Sequence, residues 1–304
     1  MTKRCDCLGL GIAPADVIMQ IKAFPKPGAK IDCTGLVIQG GGPIPTAMVA
    51  LARLGYRPAL LSAVGNDIFG RFVLDELIRE KVDVSPIRIK KDRTAIAVGW
   101  AEEKTGRRTI ALDLGIRVTP GDIKTRELPL PRLVHLDGRY MPACLKLARW
   151  ARKRGIPVVF DIGSMRNDVS ALMPLTDHLV CAEDFALPFT KSRTVPAALK
   201  KLLTLGPTTV VITSGIKGAI GYCGKDGLVR QKAFRVTAVD TTGAGDAYHG
   251  AYLAGLLKGW DLPRRMEFAS AVAAINCTRL GGRAGLPSYN QAMGFIRKGG
   301  GHYA

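Results

Sequence analysis

Long apolar runs are missing from this sequence. No stretch reaches the roughly 18 residues that a membrane-spanning helix requires, so no such helix is expected. Aromatic residues are scarce, at 6%, and do not alternate with basic ones as they do in grooves for single-stranded nucleic acid. Paired cysteines are also missing. The seven thiols are odd in number, scattered from Cys5 to Cys277, and include no Cys-x-x-Cys. That pattern excludes a disulfide frame or a zinc site and fits free thiols in a reducing compartment, the cytoplasm. The four histidines form no His-x-x-x-His pair. No Gly-x-x-x-x-Gly-Lys-Ser/Thr loop, protein-kinase motif set or nucleophile elbow is present. Acids are few: 25 against 44 Lys and Arg, a net charge of +19. The cations fall in small clusters such as Arg88–Arg93 and Arg149–Arg154 rather than in one tail. They read as solvated helix faces and loop ends; the alternative is attraction of small anions or of nucleic acid, and nucleic acid is not the expected partner.

What is present is an ordinary globular chain. Its 304 residues are 47% apolar and 23% charged, enough for one large core without a staple. Lys3-Arg4 followed by Leu8–Ala13 faintly resembles an export signal. The apolar part is too short and holds two glycines, so a first strand is expected instead. Short β-branched runs recur at 7–11, 60–64, 134–136, 157–160, 178–180, 209–213 and 219–222. Between them lie helix-period stretches at 43–54, 72–81 and 145–154. This alternation predicts an α/β fold, a doubly wound and mostly parallel sheet flanked by helices. Two stretches break the rule. Val17–Ile38 and Thr94–Asp113 alternate in hydrophobicity and hold Pro25, Pro27 and Gly28 or a Lys104-Thr105-Gly106 turn. They predict antiparallel strand pairs, inserted at about 13–39 and 92–116, that form a small β lid within a single domain of residues 1–304.

The most informative run is Asp240-Thr241-Thr242-Gly243-Ala244-Gly245-Asp246. An apolar strand over 234–239 is expected to enter a glycine turn and then a helix over 247–257. Such a junction aims bare N–H groups at one point on the positive end of a helix dipole. Asp246 then sits beside an anion site. An acid there is tolerated when it has a proton to accept, the arrangement of a general base that activates a hydroxyl for attack on phosphorus. A plain Asp-capped helix is the simpler reading of a lone Gly-x-Gly-Asp; the complete run argues for chemistry.

This run resembles the C-terminal signature of the ribokinase-like (PfkB) carbohydrate kinase family. Gly40-Gly41-Gly42-Pro43 with Ala52-Arg53-Leu54-Gly55, Gly65-Asn66-Asp67-Ile68-Phe69-Gly70 and Thr213-Ser214-Gly215-Ile216-Lys217-Gly218 follow in the family's order. The resemblance spans Gly9 to Pro287. It implies ATP-dependent phosphorylation of a sugar hydroxymethyl group with Mg²⁺. By resemblance, Asp246 is the base, and the amides of Gly243, Ala244 and Gly245 stabilise the transferring phosphoryl group. Thr213, Gly215 and Gly218 line the nucleotide groove, with Asn276 near adenine. Asp16, Gly41 and Gly42 hold the sugar, and Thr46 replaces the family's asparagine. Glu183 stands where a metal-linked acid falls, and Asp240 with Thr242 marks a monovalent cation such as K⁺. Residues 268–287 resemble the branch of sulfofructose kinases and relatives near ketohexokinase. In that branch a lid lysine and a sheet-edge arginine hold an anion, here Lys30 and Arg139.

The expected activity is therefore MgATP-dependent phosphorylation of a ketose-like or anionic sugar. The alternatives are a nucleoside acceptor, for which Trp100 and Phe24 are the lid aromatics, and a non-catalytic sugar- or phosphate-responsive binding protein. Open lid edges suggest a homodimer through the lid.

Overall fold

The computed structural model describes residues 3–165, 167–299 and 301–303. The chain starts with β1 (Arg4–Leu10), leaves the main layer as β2 (Ala15–Ile21) and β3 (Gly35–Gly40), and returns through α1 (Pro43–Arg53). β4 (Pro58–Leu61), β5 (Ala63–Gly65), α2 (Ile68–Arg79) and β6 (Arg88–Lys90) follow. A second excursion gives β7 (Ile96–Glu102) and β8 (Arg108–Asp113). The rest alternates: β9 (Leu130–Leu136), α3 (Met141–Arg152), β10 (Val158–Ile162), β11 (His178–Ala182), α4 (Glu183–Thr190), α5 (Val195–Leu203) and β12 (Thr209–Thr213). It closes with β13 (Ala219–Cys223), β14 (Gly227–Gln231), α6 (Ala244–Leu257), α7 (Leu262–Asn276) and α8 (Tyr289–Arg297).

The main sheet has eight strands in the order β14-β13-β12-β11-β10-β9-β1-β4. From β4 to β12 they run parallel; β13 and β14 are antiparallel. One apolar layer packs one face of this sheet with α3, α4 and α5. A second packs the other face with α1, α2, α6, α7 and α8. Strands buried on both faces explain the unbroken apolar runs in the sequence. The two excursions form a separate four-stranded sheet, β3-β2-β7-β8. Its central pair, β2 with β7, is parallel; the outer pairs are antiparallel.

Two local expectations fail. The run 60–64 is split at Ser62 between the end of β4 and the start of β5, and β5 leaves the main sheet to pair with β6. The strand expected over 234–239 does not form. The main sheet ends at β14, and this segment does not pair with that edge. It keeps one bridge, Phe234 to His302, and ends on α7, where Val239 and Asp240 N–H both donate to Cys277 O. The loop before α6 is thus held by a helix end. α6 also starts three residues earlier than expected, at Ala244, which puts Gly245 and Asp246 in its first turn.

Candidate active site

The C-terminal ends of the parallel strands and one face of the smaller sheet enclose a cleft of about 830 Å³. Ligands collect at such strand ends in open α/β sheets. Asp246 lines this cleft, with Gly243, Ala244 and Gly245 beside it. Gly243 has φ 72°, and a Cβ there would stand 2.5 Å from Gly282 O, so the turn requires glycine. Outside its own helix and its chain neighbours, a Cβ on Gly245 would meet nothing within 4 Å. That glycine opens space toward the cleft at a helix N-terminus, where orphan N–H groups favour an anion. The structure therefore offers a cradle that fits a phosphate group. Ala244 N–H is partly used, reaching Thr241 O at 3.3 Å.

Buried side chains fix this loop. Asp240 Oδ1 accepts from Thr242 N at 2.8 Å and from Thr242 Oγ1 at 2.7 Å; its Oδ2 accepts from Gly281 N at 2.9 Å. Asn276 does not line the nucleotide pocket, as the resemblance had suggested. It is fully buried, and its Nδ2 donates to Gly282 O at 3.0 Å and Thr242 O at 3.3 Å.

At the opposite end Asp16 projects from β2 into the cleft. Its carboxyl is pushed up to about 7, chiefly by burial. Arg283 opposes this, Asp246 and Glu76 reinforce it, and Arg108 opposes it. Asp16 and Asp246 therefore share one space. Gly41 permits the approach: a Cβ there would fall 1.9 Å from Asp16 Oδ1. Gly42 lines the cleft, but Thr46 does not. Thr46 is buried and accepts from Arg283 Nε at 3.2 Å. Buried Arg283 also donates to Glu76 Oε1 at 3.1 Å and to Gly41 O at 2.9 Å. Glu76 takes Gly40 N–H as well.

Lys30 is another correction. It lies exposed in the β2–β3 loop and does not line the cleft, because the loop carries it away from β2. The cation that the smaller sheet contributes is Arg108 on β8, beside Ile110 and Leu112. Arg108 donates to Thr241 O, and Thr241 Oγ1 donates to Gly106 O at 3.1 Å, so the β7–β8 hairpin rests on the loop before α6. Arg139 lines the cleft as expected, after Asp137, whose Oδ1 takes the Arg139 N–H at 2.9 Å. Sequence reading missed Arg108, Asp137, Asp161, His249 and Arg283. Strand alternation signals Arg108, which shares parity with Ile110 and Leu112. Strand-end position signals Asp137.

The nucleotide-side residues do gather. Thr213 and Gly215 line both the cleft and a contiguous apolar slot of about 220 Å³; Gly218, Phe234 and Ala274 line the slot. Glu183 and Asp184 line the cleft at the start of α4, and Lys217 Nζ lies 3.8 Å from Glu183 Oε2. Among the described residues no group of three His, Cys, Asp or Glu side chains could hold a metal. A Mg²⁺ ion here would ride mostly on nucleotide phosphates and water, its usual habit.

Residues 5–288 match the family described as pfkB family carbohydrate kinase. The chain belongs to the PfkB family of carbohydrate kinases. It is similar to ribokinase of Haemophilus influenzae, 27% identical over 303 residues and covering 94% of this chain and 97% of the relative. It is also similar to 5-dehydro-2-deoxygluconokinase of Clostridium perfringens, 28% identical over 286 residues and covering 85% and 84%. A solved ribokinase-named protein from Agrobacterium tumefaciens superposes with a TM-score of 0.87 at 27% identity, over 97% and 98% of the chains. This PfkB protein is an ATP-dependent sugar kinase with the ribokinase fold. Sulfofructose kinase, the branch expected from residues 268–287, is not among these three names.

Proposed function

We propose that this kinase phosphorylates the hydroxyl of an anionic, ketose-like sugar, such as a sugar acid. The observation that carries this reading is the pair Arg108 and Arg139 lining the acceptor end of a cleft whose base faces Asp16. A carboxylate or phosphate on the acceptor suits two guanidinium groups, which bind such oxygens in bidentate fashion. The gluconokinase-named relative acts, by its name, on a sugar acid. Asp16 orients the acceptor hydroxyls. Asp246 takes the proton of the attacking hydroxyl as its oxygen meets the γ-phosphorus of ATP. Amides at the start of α6 hold the charge on the transferring group. Thr213, Gly215, Gly218 and the apolar slot seat the nucleoside. Mg²⁺, when bound with the phosphates near Glu183 and Asp184, neutralises their charge. A monovalent cation beside Asp240 and Thr242 belongs to the same reading; a potassium titration that leaves the rate unchanged removes it. The smaller sheet acts as a lid whose hairpin closes on Thr241 and keeps water from the phosphoryl group.

A nucleoside acceptor finds less support. Trp100 alternates with the cleft-facing Ala97 and so sits on the outer face of β7, and Phe24 lies in an exposed loop. On the outer face Val17, Met19, Leu36, Ile38, Val98 and Trp100 form an apolar surface. We place the two-fold contact of a homodimer there. The seven free thiols support a cytoplasmic setting.

The test is ADP release with MgATP across sugar acids, ketoses, aldoses and nucleosides. We expect turnover with an anionic sugar, loss of at least about 100-fold in kcat in Asp246→Asn, and retained nucleotide binding. Near-normal turnover in that variant removes Asp246 from the base role. Preference for a neutral sugar, unaltered in Arg108→Ala, overturns the anionic acceptor.

A further inference from the structure

Arg283 is shut away from the cleft that Arg108 and Arg139 line, and it is only 2% exposed. Each nitrogen of its guanidinium meets a different segment. Nε donates to Thr46 Oγ1 on α1 at 3.2 Å, Nη1 to Glu76 Oε1 on α2 at 3.1 Å, and Nη2 to Gly41 O at 2.9 Å. Glu76 closes the ring by accepting from Gly40 N–H. The backbone that carries Arg283 is held in turn. Arg53 Nη1 donates to the carbonyls of Arg283 at 3.0 Å and Leu286 at 2.9 Å.

A buried ion pair is a poor way to gain stability. Two charges leave water, and an apolar pair of similar volume often holds a fold as well or better. What this pair grips is the turn by which the chain leaves the smaller sheet and enters α1. A Cβ on Gly40 would collide with the Arg283 guanidinium, and a Cβ on Gly41 with the Asp16 carboxylate. The two adjacent glycines thus let a cation and an acid close on one turn. Asp16 Oδ1, pressed against it, is buried and meets no hydrogen-bond donor among the described residues. Packing on the turn, not a hydrogen bond, therefore sets where that oxygen stands. Gly42, which follows, lines the cleft as the N-cap of α1. Its N–H belongs to the same peptide unit as the Gly41 carbonyl, and in a planar trans unit the two point in opposite directions. A guanidinium bonded to the carbonyl fixes the direction of that N–H and polarises it.

We infer that Arg283 is a positioning residue for the acceptor: paired with Glu76, it locks the Gly40-Gly41-Gly42 turn and so sets both the Gly42 N–H and the Asp16 carboxylate at the acceptor end of the cleft. It acts through the backbone and touches no ligand. This role rests on the kinase reading of the cleft, but the grip on the turn does not.

The experiment compares wild type with Arg283→Met/Glu76→Gln and with Arg283→Lys. The double variant removes both charges, so no buried carboxylate is left unpaired. The lysine variant keeps the charge but replaces a planar fork with one ammonium group. Amide hydrogen exchange without ligand reads the turn. We expect Gly41 N–H, bonded to Pro14 O at 2.8 Å, to exchange about tenfold faster or more in the double variant. Steady-state assays read the acceptor. We expect acceptor KM to rise about tenfold or more in the double variant and about threefold or more in Arg283→Lys, with ATP KM within about twofold of wild type in both. Unchanged acceptor KM, or an ATP KM that rises in step with it, overturns the positioning role. The lysine variant decides this where the double variant does not fold. Wild-type exchange at Gly41 in the folded double variant overturns the lock. If wild type phosphorylates no acceptor, the kinase reading fails while exchange still decides the lock.

Discussion

Burial raises the Asp16 carboxyl from 3.8 to about 7, so this residue sets folding against binding. Between those values the folded state keeps a proton that the unfolded chain has released. Stability therefore falls as pH rises through that window, by an amount on the order of 2–4 kcal/mol. The loss is complete above about pH 7. Asp16→Asn removes the charge, and we expect it to raise Tm at pH 8 more than at pH 5 while raising acceptor KM tenfold or more. Equal Tm changes at both pH values contradict the account. At this scale the sequence was legible where site residues are contiguous. Asp246 and its glycines stand in one run, and the chemistry of that run depends on local backbone geometry. Arg283, Glu76 and Thr46 come from three separate segments, and no local pattern links them. Their network forms only when the segment after α7 threads beneath β3 and α1.

The junction into α6 shows how two nearby glycines serve different ends. Gly243 satisfies the fold: its φ of 72° and its 2.5 Å clearance to Gly282 O leave no room for a side chain. Gly245 leaves room for the ligand. We expect Gly243→Ala to lose roughly 1–3 kcal/mol of stability as well as activity. Gly245→Ala is expected to keep or slightly raise Tm, since alanine suits a helix better, yet to lose at least about tenfold in kcat/KM. Thermal melts and ADP release on both variants check this. The opposite pattern would reverse the two roles. Periodicity found α1 and β12 almost to the residue, because their patterns are local. It misjudged 234–239, where an apolar run that looks like a strand joins neither sheet and keeps only the Phe234–His302 bridge. The resemblance put Lys30 at the cleft, which Arg108 lines instead; alternation along β8 decides which of its side chains face inward.

Over the whole molecule, two sheets divide the work. The strand ends of the large one and one face of the small one line the cleft. Its other face leaves Leu36 and Ile38 at 55% and 52% exposure, apolar side chains that a second copy would cover. We expect light scattering to give a dimer at micromolar concentration and the Leu36→Glu/Ile38→Glu pair to give a monomer that still binds nucleotide. A monomeric wild type removes the two-fold contact. The amino-acid order alone determined the α/β class, the family signature and the place of Asp246 at the start of α6, because each depends on neighbours a few residues apart. Only the tertiary structure decided which cations line the cleft and why Asn276 and Thr46 turn to structural partners. Those outcomes depend on which distant segments share a buried space, and there hydrogen-bond geometry and desolvation, rather than local pattern, select the partners.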